Sequence, residues 1–113
     1  MSVRYMIRLP DPDRVRASGP FAFHSQSAEG MAAELQDALR GEALFQRWAA
    51  TQDDPDSVDP ALGVTDAAAT VEGRQHDLHI DLVADTTIPG TVFKHRMRLL
   101  AGSVWELRDV RTA

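Results

Sequence analysis

Histidine is the residue type in this sequence best suited to acid–base or metal chemistry, and the chain has four histidines. His76 and His79 lie three residues apart, with Asp77 and Asp81 on either side of His79. On a helix this spacing would place both imidazoles on one face, but on a strand they point to opposite faces. Because residues 77–85 alternate between apolar and polar like a strand, we expect the two histidines not to share a ligand. The sequence therefore predicts no metal site and no cofactor.

His95 is the histidine with the best-defined predicted partner. Residues 93–100 and 104–110 both alternate like strands, and the register that buries their apolar residues places His95 opposite Asp109. A carboxylate this close favours the imidazolium and fixes the ring tautomer, which is half of an acid–base site. No nucleophile motif or glycine-rich phosphate loop supplies the other half. We therefore predict no catalytic residue, and a ligand site between helices and sheet formed by His95, Asp109 and Trp48.

The segment from Asp53 to Gly63 contains two prolines, four aspartates and a glycine, a composition that predicts a loop. Its acidic residues lack the DxDxDG spacing of a calcium-binding loop. Residues 25–72 carry two arginines and ten acidic residues, a net charge of −8, which would attract a basic partner and repel nucleic acid. We therefore predict an interaction surface on this loop, formed by Asp53, Asp54, Asp56 and Asp59.

Composition excludes several classes of protein. The 113 residues include no cysteine, which removes disulfides, thiolate zinc sites and cysteine nucleophiles. The aromatic residues fall on predicted inward positions and the net charge is −5, so nucleic-acid binding is not expected. No run of 18 apolar residues predicts a membrane span, and Arg4 and Arg8 interrupt the apolar start of the chain. With the arginine-rich composition, these features predict a bacterial cytoplasmic protein of one domain, residues 1–113, without membrane contact.

Hydrophobic periodicity predicts the elements that must position these side chains. Apolar residues at a spacing of three to four, after Ser27 as N-cap, indicate a helix that ends near Gly41. Gly41 either closes this helix in a left-handed conformation, before a second helix over residues 42–52, or kinks a single long helix. Alternating apolar and polar residues predict strands over residues 3–9, 21–24, 64–72, 77–85, 93–100 and 104–110. Residues 10–19 are predicted to form an exposed loop.

The predicted order β-β-α-α-β-β-β-β indicates an α+β fold in two layers. An antiparallel sheet of five or six strands would carry two helices packed on one face. The charged residues of the later strands would face water as a ladder of opposite charges, in which Asp81 pairs with Lys94, His79 with Arg96 and Asp77 with Arg98. Two helices are too few to cover so wide a sheet, because neighbouring strands lie about 4.8 Å apart.

A sheet that is not fully covered provides either an interaction surface or a pocket. The first possibility predicts a non-enzymatic protein-interaction module that pairs with a second copy of itself or binds another protein. The alternative is a small-ligand-binding protein or minor enzyme, with a pocket between helices and sheet near His95 and Asp109.

Overall fold

The fold is seen in a computed structural model that describes residues 2–113. These residues form four strands, four α-helices and two short 3₁₀ helices. No helix among them is long and apolar enough to cross a lipid bilayer. In chain order the elements are β1 (Val3–Leu9), α1 (Pro12–Arg16), α2 (Ala28–Arg40), α3 (Ala43–Ala49), η1 (Pro55–Ser57), η2 (Pro60–Gly63), β2 (Thr70–Gln75), β3 (Ile80–Thr86), α4 (Gly90–Ala101) and β4 (Glu106–Thr112).

The four strands form one antiparallel sheet in the order β2-β3-β1-β4. Strands β1 and β2 both run antiparallel to β3, and strands β3 and β4 both run antiparallel to β1. The connection from β1 to β2 passes through α2, and the connection from β3 to β4 passes through α4. Each connection therefore joins two parallel strands that have a third strand between them. This β-α-β-β-α-β arrangement is the split βαβ, or ferredoxin-like, topology.

One face of the sheet, here called the inner face, packs against α2 and α4. Buried residues alternate along the two central strands, β1 and β3. The ring of Phe93 in α4 lies 4.1 Å from the ring of Tyr5 in β1. A Cβ added to Gly73 of β2 would lie 2.2 Å from the carbonyl oxygen of Ala28 in α2, so this close approach requires glycine. The opposite face, here called the outer face, carries the residues that alternate with the buried ones.

The helix predicted after Ser27 is confirmed as α2. Ser27 accepts a hydrogen bond from the backbone N–H of Gly30 at 2.9 Å, as an N-cap does. Gly41 is extended, with φ −133°, rather than left-handed, and α2 and α3 are separate helices. The buried residues of α2 are those of the predicted apolar stripe: Ala28, Met31, Ala32, Leu35, Ala38 and Leu39.

Residues 93–100 form most of helix α4, so the strand predicted there is wrong. The alternation of charged and apolar residues in this segment fits the two-residue period of a strand, and the same residues also fit the 3.6-residue period of a helix. In the structure the buried positions follow the helical spacing. Gly102 follows the helix at φ +59°, which residues with a Cβ rarely adopt, and ends it. The buried residues of α4 are Val92, Phe93, Arg96, Met97, Leu100 and Ala101.

The sheet has four strands within residues 2–113, not the predicted five or six. Residues 21–24 form no strand because β3 and β4 occupy both edges of β1, and Phe23 instead donates its N–H to the carbonyl of Leu100 at 2.9 Å. The predicted loop over residues 10–19 contains helix α1. Only the end of the strand predicted over residues 64–72 belongs to β2.

Candidate functional site

The outer face of the sheet is a surface on which positive and negative side chains are equal in number. Alternate strand residues, together with the residues at the bulge in β4, point to this face. Five arginines and five acidic residues are among them: Arg4, Arg8, Arg74, Arg108, Arg111, Glu72, Asp81, Asp85, Glu106 and Asp109. The face is therefore neutral in a chain whose formal net charge is −5.

Ion pairs join the two central strands across the outer face. Arg4 donates through Nε and a terminal nitrogen to both carboxylate oxygens of Asp85, at 2.8 and 3.1 Å. Arg8 donates through Nε to Oδ1 of Asp81 at 3.1 Å. The hydrogen bond from Arg4 holds the pKa of Asp85 below its usual range. The predicted ladder, in which Asp81, His79 and Asp77 pair with residues 94–98, is wrong because residues 94–98 lie on a helix. The charged residues of β3 instead pair with those of β1.

Two apolar side chains lie at the centre of the outer face. Met6 of β1 stands opposite Val83 of β3, and both are half-buried. The row continues to Glu72 on β2 and to Asp109 on β4. Met6, Val83 and Glu72 line a groove of about 590 Å³ together with the charged rows on either side. The outer face therefore has an apolar centre and a charged rim.

The edge strand β2 carries two charges that no ion pair uses. Glu72 and Arg74 are exposed, and neither enters an ion pair with another residue in the described part of the chain. They lie two residues apart, so both point to the outer face. Arg74 stands opposite Asp81, whose carboxylate is already held by Arg8. These two charges remain free to contact a docked molecule.

Two histidines and an aspartate, here called the histidine cluster, converge beside the groove. Nε2 of His76 lies 3.0 Å from Oδ2 of Asp81, and Nε2 of His79 lies 3.6 Å from the same oxygen. The two imidazole rings are stacked, with centroids 4.6 Å apart. Within residues 2–113 this is the one group of three such side chains whose ligand atoms all lie within 4.8 Å of one another. The cluster has the residue types and the compactness to hold a metal ion.

The expectation that His76 and His79 point apart is wrong, because both lie outside the strands. β2 ends at Gln75 and β3 begins at Ile80, and the chain reverses between them. The N–H of His76 donates to the carbonyl of His79 at 2.9 Å, so the two residues face each other across the turn. Leu78, at the tip of the turn, is 83% exposed rather than packed towards the helices as its place in the predicted strand implied.

The structure brings together two of the three residues predicted to form a ligand site. His95 lies on α4, and its ring meets the ring of Trp48 edge-on, with centroids 4.4 Å apart. Asp109 lies on the outer face instead, where it accepts a hydrogen bond from Nε of Arg111 at 2.6 Å. The cross-strand pair of His95 and Asp109 was wrong because it required residues 93–100 to be a strand.

The electrostatic surroundings of His95 also differ from the prediction. Burial of the ring, followed by the positive charges of Arg98 and Arg96, lowers the pKa of His95. A neighbouring carboxylate would have raised this pKa by stabilising the imidazolium. The structure therefore favours a neutral His95 packed against Trp48.

The aspartates predicted to form an interaction surface are exposed, on and around the two 3₁₀ helices. Asp54 accepts a hydrogen bond from the hydroxyl of Ser57 at 2.6 Å. Asp59 accepts one from the N–H of Ala61 at 2.9 Å. Local turn contacts therefore use two of the four carboxylates; the other two are Asp53 and Asp56.

The outer-face site was missed from the sequence because the strand over residues 77–85 was paired with residues 93–100, which form a helix, instead of with β1. One signal was present, since two triplets of opposite charge alternate around an apolar residue: Arg4-Met6-Arg8 and Asp81-Val83-Asp85. Antiparallel pairing of these triplets places each arginine opposite an aspartate. The histidine cluster had no comparable signal, because it depends on where the turn begins.

Comparison of the chain with models of protein families, with curated proteins and with solved structures found no match.

Proposed function

We propose that the protein is a non-enzymatic interaction module that pairs with a second copy of itself through the outer face of the sheet. The observation that carries the proposal is the equal number of arginines and acidic residues on that face. Two chains of net charge −5 repel each other through most of their surfaces. A neutral face of alternating charges is instead complementary to its own copy when the two are related by a twofold axis.

The layout of the face supports a protein partner over nucleic acid. Met6 and Val83 supply an apolar centre, and the ion pairs around them supply a polar rim, the usual anatomy of a protein–protein interface. A nucleic acid would meet as many carboxylates as guanidinium groups. It would also meet no aromatic side chain for base stacking on the outer-face strand positions within residues 2–113.

Glu72 and Arg74 are the residues that we expect to make the main polar contacts between copies. In a twofold interface, residue i of one copy contacts residue j of the other, and the reverse contact is made as well. Arg74 of one copy then pairs with Glu72 of its partner, twice in each dimer. Both side chains are exposed on the edge strand beside the groove, where a second copy can reach them.

The size of the face predicts a weak dimer. Four strands spaced about 4.8 Å apart, with about 3.3 Å per residue, give a face of roughly 20 by 23 Å. In projection this is smaller than the ~800 Å² per partner that a standard stable interface buries. We therefore expect association that depends on protein concentration.

Analytical ultracentrifugation from low micromolar to millimolar concentration tests the proposal. Glu72→Arg and Arg74→Glu each place like charges together in the dimer, and each should weaken association by about tenfold or more. The double variant pairs the reversed charges again and should restore association. Such a rescue would not occur if either residue acted only within its own chain.

Asp56→Arg is a matched control, because it makes the same charge change as Glu72→Arg in the exposed acidic loop. We expect it to leave association unchanged. A wild-type protein that is monomeric at every concentration would overturn the proposal. So would loss of association in Asp56→Arg alone, which would move the interface to the acidic loop.

A further inference from the structure

We propose that the histidine cluster is a binding site for a divalent transition-metal ion, with Zn²⁺ as the ion that fits it best. The ligands are Nε2 of His76, Nε2 of His79 and Oδ2 of Asp81. The proposal stands independently of self-association, because the cluster is complete within one chain.

The two nitrogen–oxygen distances in the cluster are close to those of a tetrahedral zinc site. Zn²⁺ binds imidazole nitrogen and carboxylate oxygen at about 2.0–2.2 Å, which places neighbouring ligands roughly 3.3–3.6 Å apart. The two nitrogen–oxygen distances in the cluster are 3.0 Å for His76 and 3.6 Å for His79. Small rotations of the side chains would therefore place three ligands around one ion.

One nitrogen of the cluster is left without a partner. Nε2 of His79 is buried and makes no hydrogen bond to any residue in the range 2–113. Buried polar atoms are nearly always satisfied, and leaving one unpaired lowers stability. A cation between this nitrogen and Oδ2 of Asp81 would use the lone pairs of both atoms.

The surroundings hold the ligands in place before an ion binds. Arg8 donates to Oδ1 of Asp81 at 3.1 Å, which orients the carboxylate and leaves Oδ2 for the ion. The side-chain amide of Gln75 donates to the carbonyl oxygens of His76 and His79, at 2.7 and 3.2 Å, and so fixes the turn. Ordered ligands lose less conformational entropy on binding, which favours affinity.

The ligand types select the class of ion. Two imidazoles and one carboxylate suit Zn²⁺, Ni²⁺ or Cu²⁺, whereas Mg²⁺ and Ca²⁺ prefer oxygen ligands. The side chain of His76 is 47% exposed, so the cluster is open to an ion from solvent. Three protein ligands leave a fourth position of the zinc tetrahedron for water.

Calorimetric titration of the full chain with zinc chloride tests the site. We expect one zinc ion per chain, and no saturable binding of magnesium chloride over the same concentrations. His76→Ala and His79→Ala each remove a ligand and should weaken zinc binding by about tenfold or more. His24→Ala is the matched control, because His24 is an exposed histidine outside the cluster and its removal should leave the affinity unchanged.

NMR of the imidazole ¹⁵N nuclei in the wild-type protein decides the question even if an alanine variant fails to fold. Zinc should shift the ring signals of His76 and His79 and leave those of His24 and His95 in place. The proposal would be overturned by a wild-type chain that does not bind zinc saturably. Ring signals of His76 and His79 that do not move, or an equal loss of affinity in His24→Ala, would also overturn it.

Discussion

At the scale of single residues, burial and not the predicted partner Asp109, which lies on the outer face of the sheet, determines the surroundings of His95. Its ring packs against Trp48, and its Nδ1 is buried without a hydrogen-bond partner among the described residues. Burial of the ring is the main cause of its lowered pKa, because an imidazolium loses more hydration than a neutral ring does.

We expect NMR titration to give His95 a pKa below the ordinary histidine value of about 6.5. Trp48→Ala exposes the ring to water and should return the pKa towards that value. Because the pKa is lower in the folded protein, the unfolded chain takes up the proton first, and stability decreases as pH falls below about 6.5. A pKa at or above the ordinary value would contradict the packing of His95.

The histidine cluster shows at the same scale what sequence spacing can and cannot predict. The sequence drew attention to His76, His79 and Asp81 as possible ligands. Whether the two imidazoles share a face depends on a single boundary, the point at which β2 ends and the turn begins. β2 ends at Gln75 and β3 begins at Ile80, three residues later than the strand predicted from residue 77, and this difference is enough to reverse the conclusion about a metal site.

At the scale of elements, helix α4 is tied to its neighbours by a fully buried arginine. The terminal nitrogens of Arg96 donate to the carbonyl of Ala38 at the end of α2, and to the carbonyls of Leu62 and Val64 in and after η2. Burial lowers the pKa of Arg96. The arginine therefore joins α4 to three backbone carbonyl groups in two other parts of the chain.

We expect Arg96→Ala to lower the free energy of unfolding by about 3–5 kcal/mol, because it removes the donor of three backbone carbonyls and leaves a cavity in place of a fully buried side chain. Arg98→Ala is the matched control, since Arg98 is an exposed arginine two residues along the same helix. It should change stability by less than about 0.5 kcal/mol. Urea denaturation of both variants provides the measurement, and equal losses would refute the anchoring role of Arg96.

The contrast between α2 and α4 shows how far local patterns determine elements. The apolar stripe and the N-cap of α2 are compatible with a helix but not with a strand, and both were predicted correctly. The alternation around Lys94 and Arg98 fits a strand as well as a helix, and the deciding fact is the burial of Arg96. The carbonyl partners of Arg96 lie 32 to 58 residues earlier in the chain, so no local pattern could reveal them.

At the scale of the whole molecule, carboxylates connect segments that are far apart in sequence. Asp66, in the loop before β2, accepts hydrogen bonds from the hydroxyl of Thr86 and the N–H of Thr87, both at 2.9 Å. These bonds, led by that of the Thr87 N–H, lower the pKa of Asp66. The bidentate bond from Arg4 has the same effect on Asp85.

Acid should therefore unfold the protein progressively. A carboxyl group whose pKa is lowered by folding stabilises the folded state when the pH is above its pKa in the unfolded chain, which is about 3.9. This stabilisation is lost as the pH falls towards the pKa of the group in the folded protein. His95 adds an earlier decline, below about 6.5. Urea denaturation at a series of pH values should give a free energy of unfolding that is greatest near neutral pH and decreases steadily with acidification.

Asp66→Asn separates the contribution of this carboxylate from the general effect of acid. The amide oxygen can replace one acceptor but carries no charge, so we expect stability at neutral pH to fall by about 1–3 kcal/mol. The decrease between about pH 5 and pH 2 should be smaller than in the wild-type protein, because one group no longer takes up a proton on unfolding. Asp56→Asn, in the exposed loop, should change neither quantity. An unaltered acid dependence in Asp66→Asn would mean that the bonds of Asp66 to β3 do not stabilise the folded state.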